Sequence, residues 1–243
     1  MAGHSKWKQI KHKKAVTDAR KGQLFSKLVK EVTVAARTGG VNPETNTRLR
    51  SALERAKSEG LPKENVERAL ERASGGTVGP LLQEFLYEAT AGGGVQIIIE
   101  GITDNKNRTL AEIRHILSEH GGRFAESGSL LWNFEKIGTL EISEEENRHL
   151  SKEGVEEAVI DSGADNFTFG KGTWLVETKF AAREDVRKEL EKKNVKTRGS
   201  GHDFKPRNTL ALGTGETEDL ESLLDALSEQ GDVQEIYTNL QDK

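Results

Sequence analysis

VQIIIEGITDNKNRTLAEIRHILSEHGG, residues 95–122, carries a strand and a helix in succession. Residues 95–101 are rich in Val and Ile, a run of strand length. Leu110, Ile113 and Leu117 then recur at helical spacing, and Gly121-Gly122 ends the helix. With SLLWNF at 129–134 read as another strand, this stretch is a β-α-β unit with no second half beside it. Residues 208–213, 217–230 and 233–238 repeat the grammar near the end of the chain, with Leu220, Leu223, Leu224 and Leu227 on the helix core face. Joined, the two units make βαββαβ, the split order of a ferredoxin-like domain.

The chain between them supplies a second set. Residues 138–142, 152–163 and 166–170 read as strand, helix, strand, and residues 173–179, 183–194 and 195–199 repeat that order. Residues 136–205 are therefore expected to be inserted into a domain built from 78–135 and 206–243. Insertion is tolerated where the chain leaves and returns close together. An extra strand at 81–88 is expected to form a hairpin with 95–101 through Ala91-Gly92-Gly93-Gly94. Ahead of it lie three helical patterns. The first begins at Thr17-Asp18, keeps Phe25, Leu28, Val29, Val32 and Ala36 on one face, and stops at Gly39-Gly40. The second, capped by Asn46 or Thr47, runs to Gly60, and the third opens at Pro62 and ends at Gly75-Gly76. The expected fold class is α+β multidomain: an N-terminal three-helix domain (1–77), then two ferredoxin-like βαββαβ domains, one inserted into the other.

Charge is distributed unevenly. Up to Arg37 the chain carries ten bases against Asp18 and Glu31, a net of +8, while the whole chain stands at −4, leaving −12 for residues 38–243. The first fourteen residues, MAGHSKWKQIKHKK, contain no acid at all. A cationic head on an anionic body suits an anionic polymer held at one end. Lys6, Trp7, Lys8, Lys11, His12, Lys13, Lys14, Arg20 and Lys21 are the candidate nucleic-acid contacts. Ordinary solvated surface is the competing explanation. A membrane role is disfavoured, because only Trp7 and Ile10 offer sizeable apolar anchors in the first ten residues. No secretory signal follows the lysines, and no run approaches the ~18 apolar residues of a bilayer span.

Catalytic chemistry finds little support. Zero cysteines exclude disulfides, thiolate metal sites and cysteine nucleophiles, and the expected home is the cytoplasm. Six scattered histidines form no H-E-x-x-H set. Phe169-Gly170-Lys171-Gly172-Thr173 lacks the upstream glycine and the G-K-S/T of a phosphate loop, and reads as a hairpin. The expectation is a non-enzyme without cofactor or metal, its oligomeric state left open.

Two other stretches draw notice. The loop Thr103 to Thr109 sits between a strand and a helix N-terminus, where unpaired N–H groups favour anions. Asn105, Asn107 and Arg108 could meet phosphate or a base edge there, although capping by Asn107 or Thr109 explains the same composition. Residues 208–242 carry nine acids and no Lys or Arg, a surface that repels nucleic acid and for which solubility is the simplest role.

The run AGHSKWKQIKHKK, with Asp18 to Gly22, Phe25 to Leu28, Ala35 to Gly40, Asn46 to Arg50, Leu61 to Asn65, Thr103 to Thr109, Gly121-Gly122 and Asp232 to Gln234 following in order, closely resembles the YebC/PmpR family across essentially the whole chain. The resemblance implies a helical domain followed by two interleaved α/β domains. It also implies a cytoplasmic, non-enzymatic regulator: a DNA-binding transcriptional regulator, or a translation factor at the ribosome touching ribosomal RNA. Both need contact with a phosphate backbone. Where the family pattern has Tyr-Glu-Gly-Tyr-Gly-Pro-Gly-Gly, this chain has Tyr87 to Gly94 as YEATAGGG, a looser turn without the second tyrosine and the proline.

Overall fold

The computed structural model describes residues 18–75 and 81–241. Helices α1 (Asp18–Gly39), α2 (Thr47–Ser58) and α3 (Lys63–Ala73) come first. They pack through Leu28, Val32, Ala35, Leu49, Ala52, Ala56 and Ala69, the small residues letting the helix backbones approach. Asn46 caps α2 by accepting from the Leu49 N–H at 3.0 Å. Its amide also donates to Ala35 O and Gly40 O, tying the end of α1 to the start of α2.

Strands β1 (Gln83–Ala91) and β2 (Val95–Thr103) then pair as an antiparallel hairpin, from Gln83 opposite Thr103 to Ala91 opposite Val95. The turn is Gly92–Gly94, and positive φ at Gly93 (69°) and Gly94 (82°) explains why glycines stand there. Helix α4 (Lys106–Glu119) and the two-residue strand β3 (Arg123–Phe124) follow. The chain next forms β4 (Phe134–Ser143), α5 (Lys152–Asp161), β5 (Asn166–Gly170), β6 (Thr173–Lys179), α6 (Arg183–Lys192) and β7 (Gly199–Pro206). It closes with α7 (Thr214–Glu229) and β8 (Val233–Thr238).

The first sheet has the order β3-β1-β2-β8 and the second β5-β6-β4-β7. The second is the split βαββαβ arrangement, and it sits between β3 and α7 of the first. The protein is thus a helical unit followed by two ferredoxin-like units, one inserted into the other. Helices α4 and α7 cover one face of the first sheet through Ile97, Ile99, Ile113, Leu117, Leu223 and Leu227. Helices α5 and α6 cover one face of the second through Leu140, Ile142, Val159, Trp174 and Leu190. A smaller cluster of Ile98, Leu130, Phe134, Phe204 and Tyr237 joins the two units.

Several expected elements differ. Strand β1, read as extra to the βαββαβ set, forms the expected hairpin with β2 and is also an integral inner strand of the sheet, between β3 and β2. Residues 129–134 are not a strand: Leu131–Asn133 is a 3-10 turn, and Phe134 already begins β4 of the other sheet. The buried Glu88 carboxylate accepts the N–H groups of Gly128, Leu130 (2.6 Å) and Leu131 (3.1 Å), so those donors are unavailable for a strand ladder. Residues 208–213 hold only an isolated bridge, Leu210 opposite Leu240, beside the first sheet. The last strand of the insert lies at 199–206, not 195–199, because the Val195 N–H still closes the end of α6 on Leu190 O.

Candidate nucleic-acid interface

Lys6, Trp7, Lys8, Lys11, His12, Lys13 and Lys14 lie outside the described residues. Arg20 and Lys21 stand in the first turn of α1. Arg20 donates to Glu229 at 3.0 Å, whereas Lys21 is exposed, its ammonium 5.7 Å from the Phe25 ring centre. Further along α1, Lys27 donates to Ser228 O at 2.7 Å, and Lys30 donates to Gly231 O at 2.9 Å and to Asp232 at 2.5 Å. One side of α1 therefore grips the turn between α7 and β8.

That turn also holds the 103–109 loop. Asp232 Oδ2 accepts from Thr109 at 2.6 Å, Thr103 at 3.0 Å and Arg108 at 3.0 Å. Arg108 reaches Asp104 as well, at 2.7 Å. Burial alone would raise the Asp232 carboxyl; hydrogen bonds from Lys30, Thr109 and Arg108, with the Lys30 charge, more than reverse that and hold it far below the usual range. Asn105 caps α4, accepting from the Arg108 N–H at 3.1 Å, in place of the expected Asn107 or Thr109. Thr109 is buried in the network, and Asn107 is exposed beside it. A cleft of about 430 Å³ opens next to this junction, bordered by Gln23, Ser26, Glu112 and Gln230.

Helix α2 docks on both sheets. Its Arg48 pairs with Glu84, Arg50 with Glu184 at 3.2 Å, and Arg55 with Glu235 at 2.5 Å and Glu31 at 3.4 Å. Ser51 meets Ser200 hydroxyl to hydroxyl. The Glu235 and Glu31 carboxylates raise Arg55 above its ordinary value despite burial. Register places Glu84, Glu88, Glu100 and Glu235 on one face of the first sheet. Glu100 accepts from His202 Nε2 at 2.7 Å and Tyr237 Oη at 2.9 Å. Burial acts to raise Glu100, but these bonds and the nearby Lys136 charge outweigh it and bring the carboxyl below its usual value.

Sequence reading missed Phe180, Lys136 and Arg183, an exposed ring flanked by two cations on the inserted unit. No local motif joins them: β4 and the start of α6 bring them together. Among the described residues no group of three or more His, Cys, Asp or Glu could hold a metal ion, and no helix is long and apolar enough to cross a membrane.

A helical head docked by ion pairs onto interleaved ferredoxin-like units defines a multidomain class with a charged interior seam. Family models for the "TACO1/YebC protein N-terminal domain" and the "TACO1/YebC second and third domain" match residues 5–76 and 82–240, and the chain belongs to this family. Among its relatives, a "probable transcriptional regulatory protein" of Caldanaerobacter subterraneus is 41% identical over 241 residues, covering 99% of this chain and 98% of that one. One of the same name from Thermotoga maritima is 42% identical over 241 residues, covering 99% and 94%. The crystal structure of a conserved hypothetical protein from Aquifex aeolicus superposes with a TM-score of 0.85 at 39% identity, over 98% of this chain and 97% of that one.

Proposed function

We propose that this protein is a cytoplasmic, nucleic-acid-binding regulator of gene expression, and specifically a DNA-binding transcriptional regulator. The observation that carries this reading is the charge asymmetry: +8 up to Arg37 against −12 beyond it. The names of the relatives support it. In this proposal the unit 1–77 is the binding head, and 78–135 with 206–243 forms the body that carries the insert 136–205. Lys6, Lys8, Lys11, Lys13, Lys14 and Lys21 meet phosphates, with His12 beside them, and Trp7 stacks on a base. Asn107, exposed in the first turn of α4, is a further contact, while Asn105, Arg108 and Arg20 act chiefly through their partners in the fold. The protein works by contact, without a catalytic step or cofactor.

Salt titration tests this. Six phosphate contacts give a slope of roughly −4 to −5.5 in log affinity against log salt. Changing Lys11, Lys13 and Lys14 to Ala should flatten it by roughly 2 to 3 units and leave the melting midpoint nearly unchanged if these lysines serve the ligand and not the fold. Trp7→Ala should weaken binding by about 1–3 kcal/mol with little change in slope. An unchanged slope in the lysine variant would remove the head from the interface.

One observation favours a second reading, a ribosome-associated translation factor that contacts ribosomal RNA. Helix α2 carries arginines suited to base edges, yet they are engaged by Glu84, Glu184 and Glu235. A helix docked in this way is not free to enter a major groove. Lysines with an aromatic among them suit irregular RNA at least as well.

A further inference from the structure

Phe180 opens the 3-10 turn between β6 and α6 and is 45% exposed, its ring in T-shaped contact with His202. Lys136 from β4 places its ammonium 4.8 Å from the Phe180 ring centre and 5.4 Å from that of Phe204. The Arg183 guanidinium lies 5.8 Å from Phe180. Among the described residues neither cation has a carboxylate within ion-pair distance. Lys136 is exposed, and Glu100, whose carboxyl its charge helps to lower, is already bonded by His202 and Tyr237.

Arg183 is fixed in place. Its Nη1 donates to Gly201 O at 2.6 Å, and its side chain packs where a Cβ on Gly138 would stand. Its Nε is buried with no partner. Burial pushes the guanidinium below its ordinary value, and Glu184 offsets only part of that. Another lysine over a phenylalanine supplies the contrast. Lys152 lies 4.5 Å from the Phe169 ring centre, but it pairs with Glu144 at 3.3 Å, and Phe169 packs on Trp174. There the cation is neutralised and the ring has a partner. At Phe180 the cations have no carboxylate partner, and the ring meets His202 in a T-shaped contact, 6.2 Å between ring centres, and is left 45% exposed.

We propose that Phe180, Lys136 and Arg183 form a binding site for one nucleotide of a single-stranded nucleic acid, the base stacking on Phe180 and the phosphate lying between the two cations. This rests on the nucleic-acid reading above and adds a contact remote in sequence from the lysine-rich head. A simple anion would use the cations and leave the ring without purpose, and a run of Asp and Glu side chains has no aromatic ring to stack. Duplex bases are stacked on one another and cannot reach the ring. A base in a single strand satisfies both parts of the site.

The test uses the full chain, an unstructured RNA of about 12 nucleotides and a DNA duplex of similar length. Phe180→Ala should weaken RNA binding about 5- to 150-fold and leave duplex affinity within about twofold, while Phe180→Tyr keeps the parent affinity. Lys136→Gln should flatten the RNA salt slope by about 0.7. Lys136 is exposed, so that variant folds as the parent and keeps the proposal testable should Phe180→Ala lose stability. RNA affinity and slope unchanged in both variants would overturn the proposal, as would equal weakening on RNA and duplex. If the parent binds both probes with a slope set by Lys11, Lys13 and Lys14, such a failure is confined to this site. A parent that binds neither probe would overturn this proposal and the nucleic-acid reading together.

Discussion

Two groups of cations in this chain end differently. Those of the helical unit turn inward: Arg20, Lys30, Arg48, Arg50 and Arg55 each meet a carboxylate on the sheet units. Lys136 and Arg183 sit over an exposed ring with none. Their destinations differ in kind, since a paired cation holds two units together and an unpaired one is available to a ligand. Total charge along a segment therefore overstates what is free to bind. The lysine-rich head gives a positive count, but from α1 onward much of the positive charge is spent on docking.

The largest effect of breaking that docking belongs to Asp232, where Lys30, Thr103, Thr109 and Arg108 converge. Asp232→Ala leaves buried donors without an acceptor and should cost about 3 kcal/mol, lowering the melting midpoint by roughly 6–12 °C. Asp232→Asn should cost less and also change the response to acid. A carboxylate held below its unfolded pKa of about 3.9 stabilises the fold above that pH, and this contribution is lost as pH falls towards the folded value. The acid limb of the stability curve below about pH 4 should therefore be shallower in Asp232→Asn than in the parent. Parallel limbs in urea titrations across that range would show that Asp232 is not the anchor.

A smaller effect is expected at Arg55 and Glu235, where the carboxylate side chain is 15% exposed and the arginine 37%. Discounting for solvent on the arginine side, a double-mutant cycle with Arg55→Ala and Glu235→Ala should give a coupling of about 1 kcal/mol. A coupling near zero would mean that α2 is held by shape and not by charge.

Much of the fold was legible because it rests on local periods. The helical spacing of Leu110, Ile113 and Leu117, and the apolar run at Val95 to Ile99, placed α4 and β2 without tertiary knowledge. The repeat of strand-helix-strand units implied the insertion. Misread segments were those decided at a distance. Leu130 to Phe134 has strand composition, but Glu88 takes its N–H groups across about forty residues of chain. The candidate site was less legible for the same reason. Arg108 looked available in its loop, yet its partner Asp232 lies 124 positions away. Phe180 and Lys136 meet only once β4 and β6 are paired. An acidic tail that read as solvated surface proves to hold carboxylates that receive Arg20, Lys30 and Arg55.

The smallest expected effect is at Arg20, and it sharpens the distinction most. Its ion pair with Glu229 is exposed on both sides, 39% and 55%, so Arg20→Ala should change stability by less than about 0.5 kcal/mol. A cation free to neutralise a phosphate contributes about 0.9 units of salt slope on duplex DNA. Because Glu229 already occupies Arg20, the variant should lose well under that amount, whereas a lysine from the head should lose it in full. Glu229→Gln supplies the converse arm: it releases Arg20, so the slope should steepen and subsequent loss of Arg20 should cost close to one full contact. Should Arg20→Ala alone flatten the slope by about 0.9, the arginine must leave Glu229 when nucleic acid binds. The inward-turned pairs would then be a resting arrangement that a polyanion exchanges for its own phosphates.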